Sequence, residues 1–463
     1  MTQSSSLATR TGTGRRDFLK NATLLGATSL MGGLATRSLG ASLHIGGSDT
    51  IRVAVVGCGG RGGGAAVNAL SSPNGPVQLV ALADVFEERV KSTYTNLAGR
   101  FSAQMDVPPE RQFVGFDAYK QAIDCLRPGD VVILATPPAF RWPHFKYAID
   151  KGINTFMEKP VTVDGPSTRR IFELAGLSEE KGLKVGVGLM CRHCNVRQAL
   201  FERIQAGELG DLILMRAHRS HGPVAECFVP ANPGALPETM WQIQKFHGFL
   251  WASGGLFSDF YIHNVDECVW MKNAMPVKAE GNGGRHYRGA MVDQNFDCYD
   301  VEYTFADGSK FFFEGRTMDG CHNRFASYAH GSKGSAVIST SAHTNPRCRI
   351  WKGQDMSAEP VWTCTDKPVN PYQAEWDVLL EAIRSDKPFN EARRGAEVSL
   401  VANMGRMAAH TGQVITYDQA LNSEQEFAPD VDKLTVDGPA PVAPGPDGTY
   451  PQPEPGIKRD REY

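Results

Sequence analysis

The sequence predicts an α/β protein: a doubly wound parallel sheet of the dinucleotide-binding (Rossmann) kind, followed by an α+β domain with a large open, mostly antiparallel sheet. Three observations carry this. The apolar run 51–56 ends in Gly57-Cys58-Gly59-Gly60-Arg61-Gly62, a G-x-G-x-x-G placed where a strand gives way to a helix. Strand-like and helix-like segments then alternate up to residue 189, which is the pattern of a parallel sheet covered on both faces. Beyond Lys184 the pattern changes to short alternating segments with hairpin turns between them.

Each element can be justified in order. Within the glycine turn, Gly57 permits the tight bend, Gly59 lets the backbone approach a pyrophosphate, and Gly62 lets helix and strand pack closely. Arg61 lies inside this turn and joins the cofactor-contact candidates. The second strand, 77–83, ends in Asp84, about twenty residues past the last glycine, where an acid holds the ribose hydroxyls. An acid there favours NAD and repels the 2′-phosphate of NADP, which stays the second option. A helix over 87–101, a strand over 113–116 and a helix over 118–126 follow. The strand 131–134 runs into Ala135-Thr136-Pro137-Pro138, a carboxyl-edge loop facing the crevice. Pro143 starts a helix that Gly152 stops, and the strand 153–157 leads into Glu158-Lys159-Pro160. A last strand of the first domain covers 185–189, and a helix covers 196–206.

The second domain is expected to hold strands at 211–218, 277–281, 297–305, 310–314, 326–330 and 335–340, with Ala306-Asp307-Gly308 as a hairpin turn. The proline-containing stretch 222–249 reads as a long loop. Helical segments at 373–385 and 396–411 are expected to pack back on the first domain. The resulting domains are 50–190, 191–425 and a proline-rich tail, 426–463, which reads as an extended strap or disorder.

At 463 residues the chain has room for two or three domains, and a net charge of −3 excludes the global basic field of a nucleic-acid binder. Ten cysteines without a dense framework do not make a disulfide scaffold. Cys191-Arg192-His193-Cys194 has no second pair at zinc spacing, so no metal is expected. Residues 1–45 read as a signal and linker. Gly14-Arg15-Arg16-Asp17-Phe18-Leu19-Lys20 resembles the twin-arginine export motif, and the apolar stretch behind it is too short and glycine-broken for a permanent span. Cleavage after Ala35 or Ala41 would leave a periplasmic or secreted protein with no membrane segment. Export in the folded state, into a compartment poor in free NAD, implies a tightly held cofactor that is regenerated in place.

The glycine fingerprint, Ala135-Thr136-Pro137 with downstream His144, and Glu158-Lys159-Pro160 occur in the order seen in the Gfo/Idh/MocA oxidoreductases. Ser253-Gly254-Gly255-Leu256-Phe257-Ser258-Asp259-Phe260-Tyr261-Ile262-His263 resembles that family's glycine-rich D-x-x-x-H segment. The resemblance spans roughly 51–417. It implies a nicotinamide cofactor, a sugar, polyol or sugar-derived substrate, and a homo-oligomer, dimer or tetramer, built on the second sheet. It also places His144 and Glu158 near the nicotinamide and its ribose. The sequence departs from the family at Phe140 and Trp142, bulky residues in what is usually a shorter link to the histidine.

Oxidising a CH–OH group requires a hydride acceptor and a base for the hydroxyl proton. His263 is the expected base, because imidazole titrates near neutrality. Asp259, four residues earlier, is expected to hold its ring, and Lys159 to donate to the reacting oxygen. Arg192 and Lys245 are weaker ligand contacts. Two other readings use the same residues. One is an NAD-dependent, non-redox glycoside hydrolase working through a transient keto-sugar. The other is a sugar- or NAD-binding protein without turnover, against which an intact acid–base set argues.

Overall fold

The computed structural model describes residues 49–463 apart from 287, 341, 342 and 345. The twin-arginine motif and its cleavage region therefore lie outside the described residues. No helix among the described residues is long and apolar enough to cross a membrane.

Six parallel strands, β1 (Ile51–Val56), β2 (Val77–Asp84), β3 (Gln112–Val114), β4 (Val131–Leu134), β5 (Asn154–Met157) and β6 (Val185–Val187), form the first sheet. Their order, β3-β2-β1-β4-β5-β6, reverses between β1 and β4, which opens a ligand crevice at the carboxyl ends of those two strands. Helices α1 (Gly60–Leu70), α2 (Glu87–Phe101), α3 (Ala118–Asp124), α4 (Arg141–Asp150) and α5 (Gly165–Glu180) connect them. Because side chains alternate along a strand, Val53 and Val55 pack with α1 and α2, while Ala54 and Val56 pack with α3, α4 and α5. That two-sided burial explains why β1 reads as an unbroken apolar run. Asp164 caps α5 by accepting from the Ser167 amide, and Ser167 returns the bond, an exchange that starts the helix sharply.

After α6 (Asn195–Gln205) comes the second sheet. It comprises β7 (Leu212–His221), β8 (Lys278–Gly284), β9 (Cys298–Thr304), β10 (Lys310–Thr317), β11 (Arg324–Gly331), β12 (Gly334–Ser339), β13 (Arg349–Lys352), β14 (Trp362–Thr363) and β15 (Ile415–Thr416). These nine strands run in the order β14-β13-β12-β11-β7-β10-β9-β8-β15, and only β7 with β10 is a parallel pair. The β9–β10 hairpin turns at Asp307-Gly308, where Gly308 has φ +83° and Asp307 Oδ1 accepts from the Ser309 amide at 3.0 Å. Phe311 and Phe313 of β10 are buried, whereas Phe312 and Glu314, which alternate with them, face outward on an open side of the sheet.

Between β7 and β8 lie α7 (Glu238–Gln244), α8 (Leu250–Ser253) and α9 (Ile262–Lys272). The stretch expected as a long loop thus contains a helix, α7, whose Trp241 and Ile243 are buried among α8 side chains. Late in the chain, α10 (Pro371–Ser385) and α11 (Ala392–Thr411) return towards the first sheet, and α12 (Tyr417–Leu421) follows. Trp376 of α10 meets Phe156 of β5 with ring centroids 4.6 Å apart. The two helices are separate because Asp386 takes φ +48° and ends α10.

Of the two expectations for the C-terminal tail, an extended strap or disorder, the structure shows a strap. It lies on its own chain: Tyr450 packs edge-on against Phe249 at 4.8 Å, and Val442 accepts through its carbonyl from Gln242 Nε2 at 2.7 Å. Glu462 is buried between Arg406 and His410 of α11, with Oε2 2.8 Å from Arg406 Nε and 2.7 Å from His410 Nδ1.

Candidate active site

The glycine turn has the steric signature of a dinucleotide cradle. Gly57 has φ +96°, and a Cβ there would fall 2.6 Å from the Thr136 amide nitrogen. A Cβ on Gly62 would fall 1.9 Å from the Gly57 carbonyl oxygen, so strand and helix meet there backbone to backbone. Gly59 differs: nothing lies within 4 Å of its Cβ position, which leaves the turn open on the side a pyrophosphate approaches. Asp84 closes β2 and accepts from the amides of Cys58 at 2.7 Å and Phe86 at 3.0 Å. Burial pushes its carboxyl pKa upward, against the pull of those amides and of Arg89. Arg61 and Glu158, expected separately, form one ion pair at 2.5 Å, with the guanidinium 4.6 Å above the Tyr372 ring. His144 Nδ1 lies 3.3 Å from Thr136 Oγ1, and its ring stacks on Tyr119 at 4.1 Å. Burial, aided by Arg141, pushes His144 down to about 3, so the ring is neutral. Pro137 fixes the same loop and lines the cavity beside Thr136.

The acid–base groups come from two directions. Lys159 leaves β5 through a cis bond to Pro160. Its Nζ donates to the Asp259 carbonyl at 2.5 Å and to Asp259 Oδ1 at 3.1 Å. Asp259 sits in a π-helical turn, Phe257–Tyr261, which runs into α9. Such turns recur at functional sites because they re-aim side chains. Gly254 and Gly255 lead into this turn at φ +76° and +75°, and a Cβ on Gly255 would fall 2.5 Å from Leu250 Cδ2.

Asp259 does not orient His263, contrary to expectation. Its Oδ1 goes to Lys159 and its Oδ2 lies 3.3 Å from His247 Nε2, while His247 Nδ1 lies 3.0 Å from Glu226 Oε2. Lys159, Asp259, His247 and Glu226 thus form a continuous polar chain from the cavity to a half-exposed carboxylate. His263 packs instead against His343, with ring centroids 4.3 Å apart, and its buried Nδ1 has no hydrogen-bond partner. Burial first, then the neighbouring His343 and Lys159, hold its pKa well below 6.5. A neutral imidazole beside a cavity is ready to accept a proton.

One cavity of about 610 Å³ joins the two halves. Gly57, Gly59, Arg61, Asp84, Thr136, Pro137, His144, Glu158, Lys159, Asp259 and His263 all line it. Gly62 does not, in keeping with its role in packing. Arg192 is also absent from the lining: it pairs with Asp266 at 2.7 Å. Lys245 likewise lies outside, 5.7 Å over the Trp241 ring. The cavity also contains Arg141, Arg219, His247, His343 and Tyr372, which sequence reasoning missed. None belongs to a recognisable motif, and topology alone brings them together. The Cys191, Glu267 and His343 donors cluster within 4.8 Å, yet Arg197 lies 2.7 Å from Glu267 and supplies the positive charge a metal would bring.

Comparison with known proteins agrees with this geometry. Residues 51–189 match the model of the Gfo/Idh/MocA oxidoreductase family, NAD-binding Rossmann fold. That match covers the first domain. The scyllo-inositol 2-dehydrogenase (NAD(+)) of Bacillus subtilis is 26% identical over 318 residues, 67% of this chain and 80% of that protein. The inositol 2-dehydrogenase of Leifsonia xyli subsp. xyli is 26% identical over 183 residues, 40% of this chain and only 45% of its own length. Several of these curated relatives are thus matched over less than half their length. Among solved structures, the aldose-aldose oxidoreductase of Caulobacter crescentus, complexed with glycerol, superposes with a TM-score of 0.60 at 16% identity, over 80% of this chain and all of that one. This likeness is one of fold, and it extends through the second sheet.

Proposed function

We propose that this protein interconverts a CH–OH group of a sugar, polyol or sugar derivative and the corresponding C=O, using NAD held in the first domain. One observation carries the reading: a single cavity runs from the open glycine turn and Asp84 to Lys159, Asp259 and His263. The inositol dehydrogenases among the relatives support it. When bound, the nicotinamide supplies the hydride acceptor. Asp84 is placed for ribose hydroxyls, and the α1 N-terminus with Gly59 for the pyrophosphate.

The protein's own residues handle the proton. His263, neutral and buried, takes the proton from the substrate hydroxyl as the C–H electron pair leaves carbon, so that CH–OH becomes C=O. Lys159 donates to the same oxygen and stabilises the negative charge it develops. Asp259 fixes the ammonium from one side, and His247 with Glu226 links this group to solvent, a route by which protons can be replenished. We further propose that the chain is exported folded by the twin-arginine route with NAD already held, and that the open face around Phe312 supports self-association.

The test is to purify the full chain, denature it and identify released nucleotide by mass spectrometry. The holoprotein is then mixed with inositols, aldoses and pairs of the two, and NADH is followed by absorbance. Retained NAD reduced by a polyol and reoxidised by a second carbohydrate is the expected result. No bound or bindable nucleotide, or release of an aglycone with no carbohydrate oxidation, overturns the reading.

A further inference from the structure

The charges lining the cavity do not all find partners. Arg61 is neutralised by Glu158 at 2.5 Å and Lys159 by Asp259 at 3.1 Å. Arg219, on β7, has no such neighbour. Its Nη1 donates to the Phe260 carbonyl at 2.7 Å and lies 3.0 Å from His343 Nε2, and its Nε donates to His221 Nε2 at 3.3 Å. The guanidinium lies 4.6 Å over the Phe325 ring. None of these hydrogen-bond partners carries negative charge; among the described residues no carboxylate forms an ion pair with Arg219, Asp259 acting on it only at longer range, and Nη2 makes no hydrogen bond. His263 and His343 beside it are held neutral, chiefly by burial.

A half-buried guanidinium that faces a cavity with no paired counter-charge can gain one from a ligand, and a planar fork matches a carboxylate better than any neutral sugar oxygen. The cofactor's own negative charge is provided for elsewhere, at the glycine turn and the start of α1. Arg219 belongs to the second domain and shares His343 with the proposed base, which puts it at the reacting end of the cavity. We infer that the protein selects an acidic carbohydrate, a uronate, aldonate or related sugar carboxylate, whose carboxylate sits on Arg219. This rests on the oxidoreductase reading for the reaction but not for the binding.

The experiment uses the full chain loaded with NAD and matched probes: D-glucuronate against D-glucose, D-galacturonate against D-galactose, and D-gluconate against D-glucitol. Binding is measured by calorimetry and turnover by NADH. In at least one pair the acid should bind roughly tenfold to a hundredfold more tightly than its neutral partner, as expected for a hydrogen bond to a charged group. Arg219→Gln should bring that ratio to within about twofold, and Arg219→Lys should keep part of it. A merely structural arginine would weaken both members of a pair equally and leave the ratio unchanged. Equal or better binding of the neutral members, no binding of any acid, or a preference that survives Arg219→Gln overturns the inference. Acid binding without hydride transfer would instead refute the oxidoreductase reading, and hydride transfer with no acid preference would refute only the role of Arg219.

Discussion

Replacing His263 by Asn tests the proposed chemistry most directly. The ring is buried, its Nδ1 has no partner, and it stacks 4.3 Å from His343. Asn is smaller and cannot accept a proton at neutral pH. Loss of a general base costs roughly 10²–10⁴ in rate, about 3–5 kcal/mol of transition-state stabilisation. Single-turnover reduction of bound NAD, read by nicotinamide fluorescence, should slow by that factor, whereas nucleotide retention should not change, because the glycine turn and Asp84, not His263, are expected to hold the nucleotide. The same residue governs the wild-type acid limb. Burial, and then His343 and Lys159 beside it, favour the neutral ring, so its folded pKa lies well below 6.5. Activity should therefore persist as pH falls through 6.5, with the limb appearing only below that. Stability moves in the opposite sense. Above pH 6.5 the ring is neutral in both states; below it only the unfolded chain takes the proton, so stability is lost as pH falls, at up to about 1.4 kcal/mol per pH unit. His263→Asn should flatten that loss. A rate loss below about tenfold, or an acid limb centred at or above pH 6.5 and abolished by the substitution, would refute the assignment of His263 as base.

Other outcomes follow from the same geometry. Gly62→Ala puts a methyl 1.9 Å from the Gly57 carbonyl oxygen, so the turn must open; NAD retention should be lost and the melting temperature should fall, by overpacking worth about 1–3 kcal/mol. His144, held neutral down to about 3 by burial, should behave like His263 on acidification: His144→Phe should flatten the stability loss between pH 6 and pH 4 in a series of urea melts. His247→Gln interrupts the chain from Asp259 to Glu226 and should slow turnover with a changed pH profile and solvent isotope effect while NAD stays bound. Glu462→Gln leaves the buried Arg406 without its counter-charge and should cost about 3–5 kcal/mol in denaturant unfolding.

What was legible in the sequence depended on the range of the interaction. The glycine turn and Asp84 act through the local path of the backbone, so spacing alone placed them, and β1, buried on both faces, declared itself as an apolar run. Lys159, Asp259 and His263 were recognisable as a family pattern, and all three line one cavity. Their mutual contacts were not legible. Four-residue spacing suggested that Asp259 faces His263, but Asp259 lies in a π-helical turn and its oxygens go to Lys159 and His247. His247 sits in a stretch whose prolines read as a loop, although α7 forms there because Trp241 and Ile243 bury against α8. Arg219 and His343 come from distant parts of the second domain, and only the sheet brings them to His263. The strands β13, β14 and β15 escaped notice because they are four, two and two residues long, too short for a clear alternation to show.

The tail shows why the site needs the whole chain. Arg406 is buried on α11 and donates to the Gly254 carbonyl at 2.8 Å and to Ser258 Oγ at 3.1 Å, so it braces the entry to the turn that aims Asp259. Its charge is balanced by Glu462, next to the last residue, whose carboxyl is held down to about 2: burial opposes ionisation, and Arg406 and His410 overcome it. The same tail holds α7 and α8, where Tyr450 donates to Glu238 at 2.5 Å and Val442 accepts from Gln242. The segment bearing His247 runs between those helices. A sequence rich in proline cannot build a core, but it can lie in an extended groove at little conformational cost, since proline has little freedom to lose. Its ordering links the last residues of the chain to the geometry of Lys159, Asp259 and His247. A lesion at Glu462 should therefore reach catalysis as well as stability, with turnover falling at temperatures where the protein is still folded.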